Sequence, residues 1–102
     1  MMVKELLSKQ EFEEFIKDGV TVVDFYATWC GPCKMLAPII EELSNKGYKC
    51  GKMDIDKNVD LAMKYGIEVI PYVIIFKNGV PADKSIGLTS LQDLEEIIKK
   101  NI

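Results

Sequence analysis

The sequence predicts an α/β fold: a central mixed β-sheet flanked by helices on both faces, in the element order βαβαβαββα. Three observations carry that expectation. The run Val20-Thr-Val-Val-Asp-Phe-Tyr26 is almost entirely β-branched or aromatic, as in a strand buried on both faces. Strand-like and helix-like apolar patterns alternate through the first part of the chain, which implies parallel pairing through right-handed crossovers. Asn78-Gly79 sits between two strand-like runs and signals a hairpin, adding an antiparallel edge.

Residues 3–7 make a short first strand. Ser8-Lys-Gln-Glu11 follows as a capping box, with Phe12, Phe15 and Ile16 at helical spacing and Gly19 as the stop. After the buried strand, a helix starts at Cys30-Gly31-Pro32-Cys33 and runs to about Asn45, with Gly47 ending it. Pro38 inside it removes one backbone hydrogen bond and predicts a kink. Residues 48–55 form the next strand, and 58–65 a short helix closed by Gly66. Residues 72–76 and 82–86 flank the hairpin turn. Ser90-Leu-Gln-Asp93 is a second capping box, and Leu91, Leu94, Ile97 and Ile98 are the apolar stripe of the last helix. The 102 residues are read as one domain, 1–102.

Composition narrows the chemistry. A net charge of −3 with no Lys/Arg block argues against a nucleic-acid or anionic-membrane surface. No apolar run approaches the ~20 residues needed to span a bilayer. The opening Met1-Met-Val-Lys-Glu-Leu-Leu7 lacks the basic and then apolar regions of a leader, so a cytoplasmic location is expected. Three cysteines, an odd number, fit poorly with a secreted disulfide scaffold. There is no histidine, which removes the usual general base and the commonest zinc partner of cysteine. Thiols, carboxylates and lysines remain to do the chemistry.

The CxxC at a strand-to-helix junction is a redox-motif context. If Cys30 caps the helix, the free amides of the first turn and the helix dipole favour its thiolate, the reactive form. Pro32 suits the first turn, and Gly31 leaves room for a partner backbone. Cys33 falls about one turn on, with its Cα expected ~5–6 Å from that of Cys30, within disulfide range. Lying deeper, it is expected to be less accessible. Cys30 then attacks a substrate disulfide and Cys33 resolves the mixed disulfide. Half a zinc site and an inert thiol pair are the other readings of a CxxC. The first lacks its remaining ligands, and helix-start placement opposes the second. Asp24 is either a buried acid with a raised pKa that exchanges a proton with a buried thiol, or a solvated strand-end carboxylate. Strand alternation puts Lys52 on one face with Tyr48, Cys50 and Asp54, as a partner for Asp24 or as a surface lysine. Cys50 reads as a small buried hydrophobe, with a regulatory or dimer-forming thiol as the other reading.

The run Val22-Val-Asp-Phe-Tyr-Ala-Thr-Trp-Cys-Gly-Pro-Cys-Lys-Met-Leu-Ala-Pro38, with Lys52-Met-Asp-Ile-Asp56, Ile70-Pro71, Phe76-Lys-Asn-Gly79 and Gly87, resembles the thioredoxin family over essentially the whole chain. The resemblance implies a thioredoxin fold and protein-disulfide reductase activity, with Cys30 as nucleophile and Cys33 as resolving thiol. It implies Asp24 as the buried acid serving Cys33 and Lys52 as its neighbour. It implies Pro71 as a cis-proline against the active-site disulfide, tuning the redox pair together with Gly31 and Pro32. Trp29, Gly31, Pro32, Ile67, Ile70 and Gly87 match the apolar surface on which substrate proteins dock, with the Ile70 backbone pairing to an extended segment.

The partners so implied are disulfide-containing client proteins and a thioredoxin reductase drawing on NADPH. No bound cofactor and no metal are expected, the redox-active group being the Cys30–Cys33 disulfide itself, and the protein is expected to be a monomer. Tyr26 stands where many members have Trp. Tyr72 replaces a usual Thr and is expected near the docking surface. Glu68-Val69 changes the charge of the rim. The other functional readings are a thioredoxin-like binding module with incidental redox activity, an oxidant or isomerase, and a glutathione-dependent enzyme. Gly31-Pro32 speaks against the last two.

Overall fold

The computed structural model describes residues 2–102; Met1, one of two candidate start residues, lies outside them. The elements are β1 (Lys4–Glu5), α1 (Lys9–Ile16), β2 (Val20–Tyr26), α2 (Gly31–Asn45), β3 (Lys49–Asp54), α3 (Val59–Lys64), β4 (Tyr72–Lys77), β5 (Val80–Ile86) and α4 (Leu91–Lys99). The order is the expected one. The five strands lie as β1-β3-β2-β4-β5. β3 is parallel to both β1 and β2, while β4 runs antiparallel to β2 and β5 antiparallel to β4. β2 is central because its β-branched and aromatic side chains suit burial on both faces.

Each face has its own core. On one, Phe12, Phe15 and Ile16 of α1 and Leu61 of α3 pack on Val23, Phe25, Met53, Ile74 and Phe76. On the other, Leu36, Ile40 and Leu43 of α2 and Leu94 and Ile98 of α4 pack on Val22, Cys50, Val73 and Ile75. The alternation along each strand decides which face a side chain joins. Asp24 and Tyr26 therefore share the α2 side of β2 with Val22.

Local chemistry fixes the element ends. Ser8 Oγ accepts from Glu11 N–H at 3.1 Å, and Glu11 carboxylate accepts from Leu7 N–H at 2.8 Å, so the box closes one residue before the cap. Ser90 accepts from Asp93 N–H at 3.1 Å. The first strand is Lys4–Glu5 rather than the five residues expected; Leu6 still donates its N–H to the Lys52 carbonyl at 2.8 Å, and its side chain is fully buried. β5 begins at Val80, earlier than expected, because Asn78 and Gly79 take positive φ of 49° and 84° and close the hairpin in two residues. Pro81 is tolerated because β5 is an edge strand, beside a register shift at Ile75/Phe76. α2 is continuous across Pro38, whose missing N–H leaves the Lys34 carbonyl without its helical donor.

Gly51 in β3 had no signal in the sequence. A Cβ there would meet Leu6 Cδ1 and Phe15 Cε2 at 3.0 Å. The absent side chain lets α1 and the turn after β1 close onto β3. Gly51→Val is expected to destabilise the fold by about 1–3 kcal/mol through overpacking, read as a lower urea midpoint with unchanged slope.

Candidate active site

β2 ends at Tyr26, and the chain turns through Ala27-Thr28-Trp29 into α2. Cys30 is the N-cap of that helix, with extended φ −91° and ψ 113°. Its Sγ accepts from Cys33 N–H at 3.2 Å, and Pro32 lies in the first turn where its missing N–H costs nothing. The sulfur thus sits at the positive end of a 15-residue helix. Cys30 and Cys33 are joined in a disulfide with Cα atoms 5.3 Å apart, inside the expected range.

The anticipated contrast in accessibility is absent in this state. Cys30 is 5% exposed and Cys33 4%. Ala27, Tyr26, Ile55 and Ile70 enclose the pair, and the Ile70 carbonyl lies 4.0 Å from Cys30 Sγ. The asymmetry is in the surroundings instead. Gly31 and Pro32 beside Cys30 are exposed, whereas Cys33 continues the sheet-facing stripe of Leu36, Ile40 and Leu43.

Around Cys30 the surface presents Trp29, 67% exposed, with Gly31, Pro32 and the partly exposed Ile70 and Gly87. Trp29 is held by its indole N–H, which donates to Asp56 Oδ2 at 2.7 Å. Asp56 N–H in turn donates to Asp54 Oδ1 at 2.9 Å. The Ile70-Pro71 bond is cis, Pro71 is buried, and its carbonyl accepts from Gly87 N–H at 2.8 Å. That bond ties the 70–71 turn to the end of β5. Ile67 is half-buried and packs on the α1 and α3 core rather than among the residues around Cys30. Tyr72 corrects an expectation. It is buried, because as the first residue of β4 it pairs with Phe25 and turns onto the α1 face. Surface hollows, such as those beside Phe15 and Lys49 or between Tyr65 and Pro81, lie away from the disulfide. The Cys30 surface is open, suited to a macromolecule rather than an enclosed small ligand.

Asp24 is buried, and its Oδ1 has no hydrogen-bond partner. Burial pushes its carboxyl up to about 7; the Lys52 ammonium works against that and the Glu5 carboxylate adds to it. The solvated reading of Asp24 is thereby excluded. Asp24 on the α2 side of β2 and Cys33 on the sheet side of α2 share the same layer. Lys52 is the register partner of Asp24 across β3, but its ammonium ion-pairs with Glu5 at 3.8 Å. The direct Asp24–Lys52 pair that the sequence suggested does not form, because Glu5 faces Lys52 from the other side. Cys50 is free and buried, and burial together with Asp24 and Glu41 pushes its thiol up to about 12, leaving it inert near neutrality.

Sequence reasoning missed Glu5 and the contacts of Tyr26 and Asp56. Tyr26 hydroxyl donates to both Glu5 oxygens at 2.9 Å. Their separation in sequence hid that contact, whereas the acidic pair Asp54 and Asp56 after a strand was a visible, unused signal.

The thioredoxin family model matches residues 3–100. A thioredoxin of Staphylococcus saprophyticus is 41% identical over 99 residues, covering 94% of this chain and 95% of that one. A Staphylococcus aureus thioredoxin is 43% identical over 96 residues, covering 90% and 91%. Among solved structures, a mutant thioredoxin of Halobacterium salinarum superposes with a TM-score of 0.93 at 30% identity, covering 98% and 90%. The oxidised thioredoxin of Plasmodium falciparum gives 0.85 at 35% identity, covering 96% of each chain. The chain belongs to the thioredoxin family. It has the thioredoxin fold and is a thiol–disulfide oxidoreductase, reducing protein disulfides through its CGPC pair. Members act on disulfide substrates together with a thioredoxin reductase and generally use no cofactor. No group of three or more potential metal ligands occurs among the described residues, and no helix there is long and apolar enough to cross a membrane.

The raised carboxyl of Asp24 sets a pH dependence of stability. Below pH 4 the acid is protonated in both folded and unfolded states. Between about 4 and 7 only the unfolded chain releases the proton, so stability falls as pH rises and levels off above 7. Asp24→Asn abolishes that loss. In urea titrations of the oxidised protein the variant's advantage is expected to grow from pH 4 to pH 8, with a ceiling of about 4 kcal/mol. An advantage independent of pH would contradict the buried, titrating acid.

Proposed function

We propose that Cys30 is the attacking thiol, Cys33 the resolving thiol and Asp24 the group that takes the Cys33 proton. The observation that carries this is the placement of Cys30 Sγ at the α2 N-terminus, accepting from Cys33 N–H. In the reduced protein the same amide favours the Cys30 thiolate. That thiolate attacks a substrate disulfide. One sulfur–sulfur bond breaks, a mixed disulfide forms, and the first substrate thiolate leaves and takes a proton. Cys33 then passes its proton to the Asp24 carboxylate and attacks Cys30 Sγ. The mixed disulfide breaks, the second substrate sulfur leaves as a thiolate that takes up the proton released through Asp24, and Cys30–Cys33 closes. Two electrons have moved to the client, and a thioredoxin reductase returns them.

An acid held near 7 is ionised enough at neutral pH to accept a proton and basic enough to drive the transfer. Lys52 supports the Asp24 carboxylate through its charge. Pro71, Gly31 and Pro32 shape the redox pair. Clients are disulfide-containing proteins that dock on Trp29, Gly31, Pro32, Ile70 and Gly87, with Ile67 at the margin, and pair with the Ile70 backbone. Residues 1–102 act as a single domain and a monomer in the cytosol, without nucleic-acid or membrane partners. Charge supports that last point: the chain is acidic, at −3.

Cys30→Ser is expected to abolish reduction of insulin disulfides. Turnover that survives would exclude Cys30 as the nucleophile. Cys33→Ser is expected to form and retain the mixed disulfide, seen as a covalent adduct by mass spectrometry. Asp24→Asn is expected to slow resolution about 10²-fold while barely changing mixed-disulfide formation in stopped-flow fluorescence. Equal slowing of both steps would remove Asp24 from the proton path.

A further inference from the structure

A row of charge crosses the sheet beside the active site. Glu5 of β1 is registered with Lys52 of β3, and Lys52 with Asp24 of β2. Residues in register point to the same side of a sheet, so all three face α2. The Lys52 ammonium is 3.8 Å from Glu5 Oε1 and 5.6 Å from the centre of the Tyr26 ring. Tyr26 hydroxyl reaches both Glu5 oxygens at 2.9 Å. Glu5 is thus fastened by Tyr26 and Lys52, and Lys52 by Glu5 and the Tyr26 ring. Asp24, at the buried end of the row, keeps an unpartnered oxygen.

We propose that Glu5 is a positioning residue for proton transfer at Asp24: with Tyr26 as its anchor, it draws the Lys52 ammonium away from the Asp24 carboxyl. The proposal rests on Asp24 serving Cys33. Opposite charge close to a carboxylate favours ionisation, and distance weakens that pull. A Lys52 turned fully onto Asp24 would leave a permanent carboxylate with little driving force to take a proton. Glu5 prevents this and adds its own negative charge, which acts in the same direction.

The other groups facing this layer do not replace Lys52. Tyr26 and Cys50 keep their protons near neutrality, burial pushing both upward. Asp54 acts on Tyr26, and Glu41 of α2 on Cys50. β4 contributes Val73, and α4 contributes Leu94 and Ile98, all apolar. Cys33 is the thiol being served.

Glu5→Gln tests this with little change of shape, since the amide oxygen still accepts from Tyr26. Two quantities are read. One is the ¹³C titration of the Asp24 carboxyl in the oxidised protein, which needs no turnover. The other is the pH profile of mixed-disulfide resolution. Both midpoints are expected to fall, by about half a pH unit or more, while mixed-disulfide formation changes by less than about twofold. In a Lys52→Met background the Glu5→Gln shift is expected to shrink, because only the direct charge of Glu5 is then lost. An Asp24 midpoint that stays or rises overturns the proposal, as does a shift undiminished without Lys52. A carboxyl midpoint that moves while the resolution profile does not overturns instead the service of Asp24 to Cys33, and with it any part for Glu5 in the transfer.

Discussion

The structure depends on one junction, where the buried strand β2 feeds directly into the N-terminus of α2 with Cys30 as the cap. A cap side chain normally offers an oxygen to the free amides of the first turn. Here sulfur takes that place, accepting from Cys33 N–H. The same amide geometry that finishes the helix is what the proposed activation of the thiol relies on. The helical rise from Cys30 to Cys33 brings the second thiol within bonding reach. Pro32 keeps the first turn formed, and Gly31 keeps it uncovered. Fold and chemistry share these four residues, and little in the sheet could shift without disturbing both.

The junction has a counterpart in the layer between α2 and the sheet. Val22, Val73, Leu36 and Ile40 would make an apolar seam there, and Asp24 interrupts it with an incompletely satisfied carboxyl. Burying such a group without a partner works against folding. Packing on both faces of a five-stranded sheet offsets that cost. The observed arrangement keeps the acid in a dry place with a proton affinity matched to neutral pH, which a solvated carboxylate cannot offer. Such a residue weakens the fold, and the proton-transfer role proposed for it offers a reason for its place there.

Much of this was legible in the chain because it is written in local patterns. The capping boxes at Ser8 and Ser90, the Asn78-Gly79 turn and the unbroken β run of β2 each act over a few residues, and their physics survives without a partner. The cysteine spacing fixes its own geometry once a helix starts at Cys30. What failed was non-local. The short β1, the close approach at Gly51 and the inward turn of Tyr72 are decided by which strand lies beside which. Lys52 is the clearest case. Alternation placed it on one face with Cys50, and the family resemblance made it a neighbour of Asp24, but neither could show that Glu5, 47 positions earlier, pairs with it from the opposite strand.

That ion pair explains why so slight a strand as β1 matters. Two residues contribute few hydrogen bonds and little buried apolar area, so β1 adds modestly to the sheet for its own sake. Its pairing with β3 nevertheless fixes the register that sets Glu5 opposite Lys52, and a slip by one residue would turn Glu5 to the other face. Leu6, fully buried next to it, locks that register by packing where a side chain on Gly51 would otherwise stand. The absent Cβ of Gly51, the anchored Leu6 and the register of Glu5 are therefore linked by packing, and they set Glu5 opposite Lys52.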